Sequence, residues 1–147
     1  MRRLIVLNIY VLSFKNTYKG VGTMTNNEKA RKLYEECGVN PEESTLIPMY
    51  YFDQAGQDIV YRAMIVGTLI NRYATGKTEG DFIPVTRESL HVGDWDKEGW
   101  KLTQSSIYRL EKKKFIETIE KDGQKYIRLT NDDFYNPEIY KRKSLVD

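Results

Sequence analysis

Between Lys101 and Lys112 the chain sets Gln104, Ser105, Tyr108 and Arg109 among apolar residues at helical spacing. These side chains suit contact with nucleic acid. Glutamine can bond an adenine edge through two hydrogen bonds, and arginine can do the same with guanine. The hydroxyls of Ser105 and Tyr108 suit phosphate or water-mediated contacts, and Lys101 and Lys112 add charge for the backbone. A second group, Lys121, Gln124 and Lys125, surrounds the turn pair Asp122-Gly123.

Other chemistries fit the sequence poorly. Thr75-Gly-Lys-Thr78 is not a phosphate loop, because position 71 is Asn71 where glycine is needed, and the segment follows a helical pattern rather than a strand. Asp94, Asp96 and Glu98 alternate, but a calcium loop also needs a central glycine and a downstream glutamate that do not fall in place. The one histidine, His91, reads as a helix-end residue, and the one cysteine, Cys37, as a small core residue. Trp95 and Trp100 read as packing residues under the helix. No nucleophile–base pair is visible. The expectation is therefore no enzyme, no catalytic residue, no metal and no cofactor.

Composition narrows the class. The chain has 147 residues, 40% apolar and 30% charged, which is enough for one globular domain with a real core. Its net charge is only +2, which excludes a polybasic binder, so any electrostatic footprint must be local. Between Lys97 and Arg128 nine Lys and Arg stand against five Asp and Glu, a local charge of +4. That excess is where the candidate contacts lie, although a lysine-rich helix end also offsets the helix dipole.

The elements that must position these residues follow from patterning. Residues 1–23 carry a short apolar run after Met1-Arg-Arg, interrupted by Asn8 and too short to cross a bilayer. Lys19-Gly-Val21 stands just before Met24, and its codons can spell a bacterial ribosome-binding sequence. Met24 is thus expected to be the true start, with 1–23 an untranslated leader or a disordered extension. A helix is expected over Glu28–Cys37, capped by Asn26 or Asn27 and ended by Gly38. Leu46–Phe52, with Pro48, reads as an extended edge segment on the core. Gln57–Ala74 reads as a long helix burying Ile59, Ala63, Val66, Ile70 and Tyr73. Phe82–Val85 reads as a short strand, and Thr86 as the cap of a short helix from Arg87 to about Val92.

For the next helix two registers are open. One starts at Thr103 as N-cap, with Leu102 and Ile107 as a hydrophobic staple. The other starts near Asp96 with Trp100, Thr103 and Ile107 as its stripe. The later start is favoured because the earlier one leaves Leu102 exposed. Phe115–Glu120 and Lys125–Thr130 alternate as strands around Asp122-Gly123, a preferred two-residue hairpin pair. That turn sets Glu120 opposite Lys125, Ile119 opposite Tyr126, Thr118 opposite Ile127, Glu117 opposite Arg128 and Ile116 opposite Leu129. Ile116, Thr118, Ile127 and Leu129 then share the core face. Asn136-Pro137 opens one helical turn in the tail.

The order of helix, strand, short helix, helix and hairpin implies an α+β domain. Thr86-x-x-Ser-Leu90, Ser106-Ile-Tyr-Arg-Leu-Glu-Lys-Lys-Lys-Phe-Ile-Glu117 and the hairpin resemble winged helix-turn-helix proteins of phages and plasmids. The similarity is greatest to the winged-helix modules of replication initiators and replisome organisers, and Lys114 stands where members usually carry glycine. The resemblance implies a three-helix core with a C-terminal β-hairpin wing over 46–130. A short N-terminal helix and linker over 24–45 would precede it, and a tail over 131–147 would follow. It implies sequence-specific binding of double-stranded DNA by a mobile-element protein that regulates transcription or replication initiation. The expected contacts are Lys101, Gln104, Ser105, Tyr108, Arg109, Lys112, Lys121, Gln124 and Lys125. A cytoplasmic location with no membrane partner is expected, and a homodimer through Tyr50, Tyr51, Phe52 and the tail from Phe134 to Tyr140. The alternative is a protein-interaction module that grips a host replication, transcription or nuclease protein without DNA.

Overall fold

The computed structural model describes residues 24–52, 59–90 and 97–141. The expected leader, the first two residues expected of the long helix (Gln57 and Asp58), His91, Trp95 and the end of the tail lie outside the described residues. The architecture is α+β. Helix α1 spans Asn26–Cys37, α2 Ile59–Thr75, α3 Arg87–Leu90 and α4 Lys97–Lys112. Strands β1 (Ile83–Pro84), β2 (Ile116–Lys121) and β3 (Gln124–Leu129) form an antiparallel sheet in the order β1-β3-β2. Three 3-10 turns, Met49–Phe52, Asp132–Tyr135 and Pro137–Tyr140, complete it.

α2 is the central element. Ala63, Ile65, Val66, Leu69, Ile70 and Tyr73 are all fully buried, because α1, α3, α4, β3 and the Met49–Phe52 turn pack around it. The segment before that turn crosses α2 at Gly67. A Cβ there would stand 2.6 Å from the Leu46 carbonyl oxygen and 3.2 Å from the Ile47 Cα. Leu46 is anchored as its N–H donates to the Tyr34 hydroxyl at 3.0 Å. The expected extended segment therefore lies on the core only as far as Pro48, and Met49–Phe52 curls into a 3-10 turn instead.

α1 starts two residues earlier than expected and takes a different cap. Thr25 Oγ1 accepts the Glu28 N–H at 3.1 Å, while Glu28 Oε1 accepts the Thr25 N–H at 2.9 Å, a reciprocal capping box. Asn26 and Asn27 are not the cap, because their amides are committed elsewhere. Asn26 Nδ2 donates to the Leu129 carbonyl at 3.1 Å, and Asn27 Nδ2 donates to that of Tyr73 at 3.0 Å. Gly38 ends the helix as expected. Ala30, Leu33 and Tyr34 of α1 and Phe134 of the tail join the same buried cluster as α2, α4 and the sheet. The core is thus not confined to 46–130.

The hairpin forms in the expected register, with Ile116, Glu117, Thr118, Ile119 and Glu120 opposite Leu129, Arg128, Ile127, Tyr126 and Lys125. Asp122 and Gly123 both have positive φ, 52° and 78°, which the two-residue turn requires. Ile116, Ile127 and Leu129 face the core and Thr118 is half-buried. β1 joins with Ile83 opposite Ile127 and Pro84 opposite Tyr126. Asn136 caps the expected turn at Pro137.

One buried hydroxyl links these layers. Tyr73 donates to the Asp81 carbonyl at 2.8 Å and accepts the Leu129 N–H at 3.0 Å. Burial raises the Tyr73 pKa well above the usual tyrosine value. Tyr135 donates to Asn26 Oδ1 at 2.7 Å, which carries the connection through Asn26 to the Leu129 carbonyl.

Tyr73→Phe leaves the Leu129 N–H buried without an acceptor and should cost about 1–3 kcal/mol in urea unfolding. Gly67→Ala should also destabilise, by roughly 1–3 kcal/mol, even though alanine is the better helix former. A Gly67→Ala variant with a raised melting temperature would refute the close approach at Leu46.

Candidate nucleic-acid interface

α4 carries most of the candidate contacts, and its start corrects the favoured reading. The helix already runs at Lys97, so Thr103 is no N-cap. Thr103 is 0% exposed, and its hydroxyl donates to the Gly99 carbonyl at 2.9 Å, one turn back. Ser106 does the same with Leu102 at 2.7 Å. Leu102 is half-buried on the helix flank, so the earlier start does not expose it. Glu98 in the first turn and Arg109 and Lys112 in the last complement the helix dipole.

The buried stripe is Gly99, Thr103, Ser106, Ile107 and Leu110. The opposite face exposes Lys97, Lys101, Gln104, Ser105, Tyr108, Arg109 and Lys112. All six of the expected α4 contacts therefore share the solvent side. The error in the start did not move them, because Ile107 and Leu110 fix the face in either register. Tyr108 is 59% exposed, and Lys112 Nζ lies 5.4 Å from its ring centroid, a cation–π contact.

The turn from α4 to β2 explains how the helix and hairpin hold together. The Lys114 N–H donates to the Glu111 carbonyl at 2.9 Å, and the Phe115 N–H donates to that of Leu110 at 3.0 Å. This pairing ends a helix through a left-handed residue. Lys114 adopts that conformation, with φ 64°. Glu111 reaches across the turn, its Oε2 accepting the Thr118 hydroxyl at 2.6 Å and the Thr118 N–H at 3.3 Å. Its negative charge is thereby drawn to β2.

At the hairpin tip Lys121 and Lys125 are exposed. Gln124 is different. Its Nε2 donates to the Lys125 carbonyl at 2.8 Å and to that of Val85 at 3.3 Å, tying the tip to the end of β1. Gln124 is therefore a brace within the chain rather than a free contact. Arg128 is also engaged, with Nε donating to Glu117 Oε1 at 2.9 Å and NH1 lying 3.4 Å from Asp81 Oδ2. Its guanidinium sits 5.6 Å from the Phe82 ring. Glu120 and Asp122 are exposed beside the tip lysines.

One cation was missed from the sequence. Arg87, exposed at the start of α3, lies over the Trp100 ring at 5.6 Å and so adjoins α4 at Trp100. The signal was present in Thr86-Arg87, where the Thr86 hydroxyl accepts the Ser89 N–H at 3.0 Å and places arginine in the first turn. Trp100 belongs to α4 itself and is half-buried.

The residues expected to form a dimer surface are largely spent within the chain. Phe52 is 4% and Phe134 0% exposed, and their rings stack at 5.7 Å. Tyr51 packs on Phe134 at 4.8 Å, and the half-buried Tyr140 donates to the Phe134 carbonyl at 2.7 Å. The Tyr50 side chain lies outside the described residues. Cys37 is half-buried against the core, and burial raises its thiol pKa.

Among the described residues no group of three or more His, Cys, Asp and Glu is placed to hold a metal ion, and no helix is long and apolar enough to cross a membrane. No family model, curated protein or solved structure matches the chain.

Lys114→Gly removes the strain of a left-handed L-residue at the helix end. It should stabilise the fold by about 0.5–1 kcal/mol, net of glycine's greater unfolded-state freedom. A lowered denaturation midpoint would contradict the left-handed geometry at Lys114.

Proposed function

We propose that the chain is a winged-helix protein that binds double-stranded DNA sequence-specifically and regulates transcription or replication initiation of a mobile element. The observation that carries the reading is the solvent face of α4, where Gln104 and Arg109 sit among Lys101, Ser105, Tyr108 and Lys112. Support also comes from the element order, in which a short helix precedes α4 and an antiparallel hairpin follows it.

In this reading α4 enters the major groove. Gln104 and Arg109 bond base edges, while Lys101, Lys112 and the tip residues Lys121 and Lys125 meet phosphates. Arg87, ordered over Trp100, adds a phosphate contact from α3. Glu111 and Gln124 act within the protein, fixing the hairpin against α4 and β1. Binding proceeds without chemistry in the cytoplasm. A palindromic site needs two copies, because one helix reads only a few base pairs.

A second reading has its own observation. Glu120 and Asp122 expose negative charge on the hairpin beside the Arg128-paired Glu117, and Ile119 is 38% exposed among them. That mixture suits a protein partner, such as a host replication or transcription factor.

Fluorescence anisotropy on random duplex DNA at two salt concentrations separates the two. With about 4–6 phosphate contacts, the slope of log affinity against log salt should fall near −4 to −5. Lys101→Ala and Lys112→Ala should each make it shallower by about one. Arg109→Ala should weaken binding to a selected site by about 1–3 kcal/mol and relax base preference at one position. An absence of binding at low salt would defeat the DNA reading and favour the protein partner.

A further inference from the structure

We propose that two copies of the chain pair through the free edge of β2, antiparallel about a two-fold axis at Ile119, joining their sheets side by side. This goes beyond duplex recognition and does not rest on it. In the order β1-β3-β2, β2 has a neighbour on one side only. The Thr130 N–H donates to the Phe115 carbonyl at 3.0 Å, which sets the phase of the ladder between β2 and β3. Glu117, Ile119 and Lys121 therefore turn their backbone groups to β3, while those of Thr118 and Glu120 turn outward. The Thr118 N–H follows that direction, reaching Glu111 Oε2 at 3.3 Å. Outward backbone groups on an edge are a template for a further strand.

Charges on an edge normally discourage pairing, and Glu117, Glu120 and Lys121 serve that role against foreign strands. Against a second copy their order is complementary. Outward groups must meet outward groups, so β2 can pair with itself about Thr118, Ile119 or Glu120. The register about Thr118 sets Glu117 opposite the partner's Ile119. The register about Glu120 sets two glutamates face to face. The register about Ile119 sets Glu117 opposite the partner's Lys121, Lys121 opposite the partner's Glu117, and Ile119 opposite the partner's Ile119. Thr118 and Glu120 then exchange backbone bonds with the partner's Glu120 and the partner's Thr118. Opposite charges and apolar pairs directly across a ladder stabilise it.

The outer face of the sheet carries the match inward. Ile119 is 38% exposed, and its row runs through Tyr126 of β3 to Pro84 of β1, both half-buried. Pairing continues that apolar row into the second sheet. Glu117 already meets Arg128, so the partner's Lys121 places a second cation on its other side. Glu120 keeps Lys125 opposite it in its own hairpin. Glu111 keeps the Thr118 hydroxyl at 2.6 Å and gives up only the longer bond to the N–H. The contact is isologous and closes at two copies. The edge is short, so the association is weak, with a dissociation constant between roughly 10 µM and 1 mM.

The test is sedimentation equilibrium of the full chain, without DNA, at concentrations up to about 1 mM. A monomer–dimer equilibrium is expected. Ile119→Lys sets two cations face to face at an exposed site and should weaken it by about tenfold. Glu117→Lys and Lys121→Glu should each weaken self-association by setting like charges opposite. An equimolar mixture of those two variants should associate again, because each meets opposite charge in the other. Glu117→Lys also loses the contact with Arg128. If it fails to fold, Ile119→Cys in a Cys37→Ser background takes its place. Directly opposed residues in a non-hydrogen-bonded pair have Cα atoms about 4.5 Å apart, within disulfide reach, so mild oxidation should give a covalent dimer. A chain that stays monomeric at about 1 mM, or an association that Ile119→Lys leaves unchanged, would overturn the proposal. So would a mixture that associates no better than its components, or an Ile119→Cys chain that oxidation leaves monomeric.

Discussion

The Tyr73 hydroxyl is the point at which the helical layer and the sheet become one structure. It satisfies a backbone donor of β3 and gives its own proton to the loop leading into β1. β1 itself is only two residues long, too short to hold its place by sheet pairing alone. Its position beside β3 depends on what holds the loop before it. Asn26 completes the arrangement by taking the Leu129 carbonyl, so both backbone groups of Leu129 are bonded to side chains from α1 and α2. The constraint is directional as well as energetic. Apolar packing sets which faces meet, whereas these bonds set how far each element can slide.

That division of labour accounts for how much was legible in the sequence. The hairpin was readable down to its register, because Asp122-Gly123 admits few turns and four of the five resulting pairs are compatible in charge or apolarity. The solvent face of α4 was readable because helical period alone separates Gln104, Tyr108 and Lys112 from Ile107 and Leu110. The start of α4 was not. Threonine accepts from the backbone at a helix start and donates to it in mid-helix, so Thr103 satisfies either pattern locally, and only burial distinguishes them. Asn26 and Asn27 misled for a related reason. They have cap chemistry, but their partners on β3 and α2 are remote in sequence. Phe134 gave no warning of burial, since a one-turn 3-10 segment is too short to show a period.

Counting charges along the chain described the candidate interface only in part. Lys and Glu residues near one another in sequence do not cancel in place. Glu111 is drawn to β2 and Arg128 to Glu117 and Asp81, while Lys112 rests over Tyr108. The surface that remains is a helix face on which Gln104, two hydroxyls and four cations surround Glu98, beside a hairpin tip of mixed sign. Arg87 enters it from α3 through an aromatic contact that no local pattern encodes.

The pairing of Lys29 with Asp132 at 2.9 Å places α1 beside the Asp132–Tyr135 turn, more than a hundred positions on. Tyr135 and Asn26 repeat the juxtaposition one layer deeper. A polypeptide trimmed back to two adjoining elements can be joined there by a short bridge and reopened at an exposed loop with little effect on its interior. The exposed bend around Gly76 and Gly80, between α2 and β1, offers such an opening. The order of the elements along the chain is thus separable from their arrangement in space, and a circularly permuted protein would keep the α4 face intact.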